Sequence, residues 1–417
     1  MISIKKIITF SLCFVLGISF IGCKKTGDSF SSANSDYVSM SQPTNESMEQ
    51  TTSDNISSYN NVTSNPNSSQ TDTSSKKDYG FTRLEEVRYE CIKEIPGGDA
   101  QYEVKTVTTD TGYAFIYAIN LSCDDKSITI KDRTVTIPFD YRQKHDSITL
   151  TATHNLAKIS TEFTIKFDKW ELVFEDDFNG TELNTDVWNV WDEKQDNGYA
   201  YSKQNSFLDG KGNLINRMSV LKEPDPVTGQ TQLTSVIETE NKFETTYGYF
   251  EIRMIPHRAA GLMGAFWLSC GDMGDQNAPK DNTATNGCEI DIVETFFHRK
   301  TPSQTIHWDG YGWYLDEKTD EWKTVTKSKH LPIPAMEEIF DGNYHTFSLY
   351  WSPEEYVFLV DGEVTNRTSE MGICNQPGYI LISSHFNKEA GELPLKPGEY
   401  TDMIVDYVRV YKTDKLK

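Results

Sequence analysis

The chain has 417 residues, 37% of them hydrophobic and 24% charged, with a formal net charge of −22. That is room for two or three domains at ~100–200 residues each, and enough apolar material for a packed core. The acidic balance excludes nucleic acid and an anionic membrane surface as partners, since both repel it, and leaves a neutral substrate unaffected.

Lys5 and Lys6 precede an uncharged apolar run from Ile7 to Gly22, which is too short for a confident membrane span. The run ends in Phe20-Ile21-Gly22-Cys23, followed by two lysines. This resembles a bacterial lipoprotein signal, which implies removal of residues 1–22 and lipidation of Cys23. The implied place is the bacterial cell surface, outside the cytoplasm, with the lipid as the one membrane contact. An ordinary signal peptide or an uncleaved anchor is the alternative. Residues 23–77 are rich in Ser, Thr, Asn and Asp and almost free of aliphatic side chains. Such a segment buries too little apolar surface to offset its ordering entropy and reads as a flexible tether.

Residues 78–168 carry short alternating runs at Tyr102 to Thr108, Gly112 to Ile119, Thr134 to Phe139, Ser147 to Thr153 and Ser160 to Phe167. The spacing and the Asp/Gly/Asn punctuation predict a small β-sandwich, Ig-like or carbohydrate-binding. Tyr113, Phe115 and Tyr117 share one parity and hence one strand face. Core packing is the expected use of that face, with a sugar-stacking platform as the alternative.

From residue 169 to 417 the pattern stays strand-rich, with helical periodicity only near Ala335 to Phe340. Some 245 residues of this kind fit one large antiparallel sandwich of two curved sheets. The expected fold is all-β throughout. Of seven cysteines, Cys91, Cys123, Cys270, Cys288 and Cys374 lie beyond the leader, without metal-ligand spacing. A Cys91–Cys123 or a Cys270–Cys288 disulfide is open on sequence alone.

The segment Gly287-Cys288-Glu289-Ile290-Asp291-Ile292-Val293-Glu294-Thr295-Phe296 reads as a strand that carries three acids. Strict alternation puts Glu289 and Asp291 on one face and turns Glu294 inward with the isoleucines, where an unpaired carboxylate is costly. A one-residue bulge near Ile292-Val293 brings all three to one face, as bulges beside active sites often do. Three carboxylates in a row push their proton affinities apart. Glycoside hydrolysis needs such a split: one carboxylate to attack and one carboxylic acid to donate. The glutamate Cα atoms are then ~13 Å apart at ~3.3 Å per residue, and retention needs carboxyl groups ~5–5.5 Å apart. The long side chains must therefore lean together over the shorter Asp291.

Glu289-Ile290-Asp291-Ile292-Val293-Glu294 resembles the bulged E-x-D-x-x-E signature of glycoside hydrolase family 16. Leu172 to Gly180, Asn184 to Trp188, Lys242-Phe243, Tyr247 to Arg253, Ala265-Phe266-Trp267 and Val405 to Tyr411 follow in the family's order. The resemblance implies a β-jelly-roll with the sugar in a concave cleft and endo-hydrolysis of a β-linked polysaccharide with retention. It implies Glu289 as nucleophile, Glu294 as general acid/base and Asp291 as their electrostatic and hydrogen-bonding support. It also implies Trp267, Arg253, His307 and Trp308 at the substrate. No cofactor is expected for catalysis. A structural calcium is implied at Asp177, Gly212 (through its carbonyl) and Asp406, and oxygen ligands suit that cation.

Met263-Gly264 stands where many family glucanases have Trp-Pro. Long polar insertions run from Gly271 to Gly287 and from Trp308 to Lys329, the second holding Trp308, Tyr311, Trp313 and Tyr314 as candidate subsite walls. The leading expectation is a monomeric hydrolase of β-1,3- or β-1,3-1,4-glucan. An endo-β-galactosidase on galactan or mucin-type glycans is the sister reading, and a non-catalytic glycan-binding lipoprotein is the reading of another class.

Overall fold

The computed structural model describes residues 79–193, 198–274, 280–316, 318–319, 321–387 and 390–416. The expected signal, the lipidated Cys23 and the tether lie outside them, as do residues 275–279 of the first insertion and the side chain of Trp313. Nearly all regular structure is β-strand.

Residues 84–166 form two small sheets. One holds Leu84–Glu94, Ala100–Thr109, Gly112–Tyr113, Thr129–Lys131 and Thr134–Ile137, and the other holds Ile119–Ser122, Ser147–His154 and Ile159–Lys166. Alternate residues such as Tyr102, Val104, Val135, Ile137, Leu150 and Phe163 meet in one core between them. The strand expected from Gly112 to Ile119 stops at Tyr113, and a 3-10 turn over Ile116–Ala118 carries the chain to the second sheet. Ala114 and Ile116 turn inward, so Tyr113, Phe115 and Tyr117 face solvent, and the expected core role for them is wrong.

The larger sandwich contains β1 (Glu171–Asp176), β2 (Leu214–Val220), β3 (Gln232–Glu238), β4 (Gly248–Ile255), β5 (Leu262–Gly271), β6 (Gly287–Phe296) and β7 (Thr301–Trp308). It continues with β8 (Lys327–Leu331), β9 (His345–Trp351), β10 (Tyr356–Val360), β11 (Glu363–Thr368), β12 (Gly378–Phe386) and β13 (Tyr400–Lys412). One layer runs β3-β12-β5-β6-β7-β8, entirely antiparallel. The other is built around β13, which pairs with β1, β2 and β4, and continues through β9, β10 and β11. A short β2–β3 pairing joins the two.

Period-two alternation sets the core. Phe266, Leu268, Ile290, Ile306, Ile380 and Ile382 from the first layer meet Phe250, Ile252, Met254, Phe347, Val405 and Val408 from the second. The opposite face of the first layer is thereby left for Ala265, Trp267, Leu381 and their neighbours. That face carries the acids.

Five cysteines are described and all are free. Cys270 and Cys288 are register partners on β5 and β6, and their sulfurs and that of Cys374 lie within 4.8 Å of one another. All three are buried in the main core, on the face of the sheet opposite the acids.

Candidate active site

The pairing of β6 decides where its acids point. On β7, Glu289, Asp291 and Glu294 stand opposite His307, Thr305 and Ser303. On β5 they stand opposite Ser269, Trp267 and Ala265. Between Asp291 and Glu294, Ile292 and Val293 together oppose the single residue Gln304, and on β5 Ile292 has no partner. This is the bulge the strand's parity demanded. Ile292 and Val293 both enter the core, and Glu294 turns outward with Glu289 and Asp291.

The three carboxylates are buried, so each charge loses solvation. Burial, then the charge of Asp291, raises Glu289 well above the ordinary carboxyl range. Burial and Asp291 raise Glu294 likewise, opposed by His307 and Ser303. His307 Nε2 lies 3.1 Å from Asp291 Oδ2 and 3.8 Å from Glu289 Oε1, while its Nδ1 is 2.6 Å from Ser328 Oγ. Burial works against charge on His307, but Asp291 and Glu294 outweigh it and raise its pKa. The Tyr311 hydroxyl donates to Glu289 Oε2.

Beside the acids lies a cavity of about 230 Å³ walled by Trp191, Trp267, Tyr379, Leu381 and Tyr311. Trp267 is fixed by its Nε1–H donating to Ser383 Oγ at 3.0 Å. Asp192, Glu193, Glu238, Glu240, Ser269 and Gly274 line it too, and no Lys or Arg lines it among the described residues. Burial pushes the Glu238 carboxyl up to about 7, against a hydrogen bond from Trp191, with Glu240 and Glu193 adding to the rise.

Two expected substrate residues face elsewhere. Arg253 sits on β4 between Ile252 and Met254, whose side chains fill the core, so Arg253 points away from it on the other layer. There it pairs with Asp406 and lies over the Tyr344 ring. Trp308 stands opposite Cys288, on the core side of β7, and packs against the main core instead of the cleft. Alternation is the reason for Trp308, which is one position out of phase with the cleft face, and the layer is the reason for Arg253, since the two faces of β4 are the core and the outer surface. Tyr311, expected as a subsite wall, lines the cavity, and one cleft residue had no expected role: Glu238 shares the parity of Val236 on a buried strand. An acid ending such a strand was the available signal.

The positions considered for calcium gather at one end of the outer layer. A Cβ on Gly212 would lie 4.0 Å from the Asp177 carbonyl oxygen, and the register Leu214↔Val405 brings Asp406 beside Asn213. Arg253 holds Asp406 Oδ2, so Oδ1 is the carboxylate oxygen left for a cation. An all-oxygen set of this kind fits a hard divalent ion.

A family model described as "Beta-porphyranase A-D, GH16 domain" matches residues 170–413. The chain belongs to glycoside hydrolase family 16. Among curated relatives of its GH16 domain is the glucan endo-1,3-beta-glucosidase A1 of Niallia circulans. It is 27% identical over an alignment of 278 residues that covers 58% of this chain and 38% of that protein. A glucan endo-1,3-beta-glucosidase of Cryptopygus antarcticus is 30% identical over 230 residues, 52% of this chain and 78% of that one. The chain thus spans well under half of the first relative. Among solved structures, the endo-beta-1,3-glucanase of Pyrococcus furiosus matches 60% of this chain and 98% of its own, at 25% identity and a TM-score of 0.46.

Proposed function

We propose that the GH16 domain hydrolyses internal β-linkages of an uncharged polysaccharide with retention, in two displacements. The observation that carries this is the bulged row of Glu289, Asp291 and Glu294 on the open face of the sheet. In the first displacement Glu289 attacks the anomeric carbon while Glu294 gives its proton to the leaving glycosidic oxygen. In the second, Glu294 takes a proton from water, which releases the sugar from Glu289. A raised Glu294 suits the donor role at neutral pH. The Tyr311 hydroxyl favours the ionised form of Glu289 that must attack. Asp291 and His307 stand beside both and tune the pair. Trp267 and Tyr379 offer ring faces to sugar C–H groups.

A β-1,3- or β-1,3-1,4-glucan is the first substrate class, because curated relatives bear the names of such glucanases. A galactan is the second reading, favoured by the porphyranase description of the matching family model. The acid-lined cavity supports a neutral sugar beside the scissile bond in either case. Around this domain we place a lipid anchor at Cys23, a tether over residues 23–77 and an accessory sandwich over residues 78–168. We also propose a monomeric state and a structural calcium held by Asp177, Gly212 and Asp406, which takes no part in the reaction.

Reducing-end release from laminarin, lichenan and agarose, wild type against Glu289→Gln, tests the reading. Binding without release by the wild type would leave only a glycan-holding protein. Proton NMR of the first product tests retention, and an inverted anomer would exclude Glu289 as nucleophile.

A further inference from the structure

We propose that Tyr113, Phe115 and Tyr117 form a second glycan-binding site, a stacking platform for a neutral polysaccharide on the accessory sandwich, apart from the GH16 cleft. These side chains are 75%, 84% and 88% exposed. Ala114 and Ile116 between them are drawn into the small core, so the rings are presented at alternate positions of one short crossing between the two sheets. Exposing three large rings in succession costs solvation that burial would remove.

The surroundings are suited to sugar hydroxyls. The Asn155 backbone N–H donates to the Ala118 carbonyl, which brings the turn after His154 beside the crossing. Asn155 Nδ2 donates to Asn120 Oδ1 at 3.0 Å, an amide pair with donors and acceptors to spare. The Arg133 guanidinium, 3.4 Å from Glu103, lies 5.6 Å over the Tyr117 ring and brings a planar donor to the platform. Flat apolar faces rimmed by amides and a guanidinium match a pyranose, which has a C–H face and a polar perimeter.

A second copy of the chain is a poorer occupant. The three rings offer roughly 400–600 Å² per copy, below the ~800 Å² each partner contributes to a stable interface. An acidic occupant is disfavoured by the chain's net charge of −22. A platform of this kind holds polymer without taking part in bond cleavage, and it stands whether or not the cleft hydrolyses.

Affinity electrophoresis of the full chain in gels cast with laminarin, lichenan or agarose reads the site directly. The parent carries Glu289→Gln so that polymer stays intact, and Tyr113→Ala, Phe115→Ala and Tyr117→Ala are added to it together. The expected result is at least a threefold weaker retardation of the triple variant in the gel that retards the parent. The double variant Tyr113→Phe and Tyr117→Phe, which keeps the rings, stays retarded. With Glu289 intact, the triple alanine variant releases reducing ends from short soluble oligosaccharides at the wild-type rate. Equal migration of parent and triple variant in every gel overturns the proposal. So does a concentration-dependent dimer of the parent, by sedimentation, that the triple variant abolishes. Retardation through the rings with no reducing-end release from the Glu289-intact enzyme would sink the hydrolase reading and leave the platform standing.

Discussion

His307 Nε2 stands 3.1 Å from Asp291 Oδ2, so the middle acid of the row is met by an imidazole from the neighbouring strand. The contact is a direct result of register, because Glu289 opposes His307 and Asp291 follows two residues on. It places a cation where charge repulsion among the three carboxylates is greatest.

The pH dependence of stability follows from these groups. His307 is raised above its ordinary 6.5, so its contribution is complete below that value and fades as pH rises through the folded pKa. Glu289 and Glu294 are raised above 4.5, so the folded state keeps protons that the unfolded chain has released. Stability therefore falls as pH rises from 4.5 through their folded values. Both signs agree: Tm declines with rising pH across the neutral range. Thermal scans at a series of pH values should show that slope, and Glu294→Gln should flatten it.

Removing a carboxylate from the row trades activity for stability. Glu289→Gln and Glu294→Gln each keep the shape of the side chain and relieve the buried charge beside Asp291. Loss of proton transfer alone is worth ~10²–10⁴ in rate, and loss of the nucleophile at least as much. We expect kcat to fall by that factor in both variants while Tm holds or rises. A variant that loses activity together with Tm would indicate a structural role for the glutamate.

His307 tunes the donor. Its charge holds Glu294 lower than burial and Asp291 would set it. His307→Gln should therefore move the alkaline limb of kcat/KM to higher pH while lowering kcat, because Glu294 then keeps its proton longer. An unshifted limb would separate His307 from the titration of Glu294.

The bulge is the feature that sequence parity showed most plainly. Glu294 on an otherwise regular strand had to be either an inward carboxylate or the sign of an extra residue, and Ile292 and Val293 in the core are the extra pair. The strand-rich domain was legible for the same reason, since apolar alternation recurs along β4, β6 and β13. Motif order says nothing about which layer or face a residue takes: Arg253 lies on the layer opposite the acids, and Trp308 lies one step off the cleft parity. Tyr113, Phe115 and Tyr117 had the right parity and the opposite side, since Ala114 and Ile116 supply the smaller core's apolar contacts. The Tyr311 contact to Glu289 joins residues 22 positions apart through a long insertion, which no local pattern encodes.

Arg253→Ala separates the outer layer from the cleft. The Arg253–Asp406 pair is about one-third exposed on each side and screened by solvent, so its loss should cost no more than ~1 kcal/mol. KM and kcat should stay within twofold of wild type, because the guanidinium points away from the core on the layer opposite the acids. A tenfold rise in KM would return Arg253 to the substrate.

Gly378 is required by the buried thiols. A Cβ at this position would fall 2.4 Å from Cys270 Sγ, inside the cluster that Cys270, Cys288 and Cys374 form beneath Glu289. The sulfur belongs to a short side chain on a central strand, and Tyr356 Oη, which accepts from the Cys374 backbone N–H at 2.7 Å, helps close the pocket. Gly378→Ala should therefore overpack the site and cost about 1–3 kcal/mol. Cys270→Ala removes the atom in conflict and leaves a small void, so the double variant should recover part of the loss. Denaturant titration of the four proteins measures that coupling. Additive losses would mean that the alanine methyl is accommodated elsewhere and that the thiol cluster does not dictate the glycine.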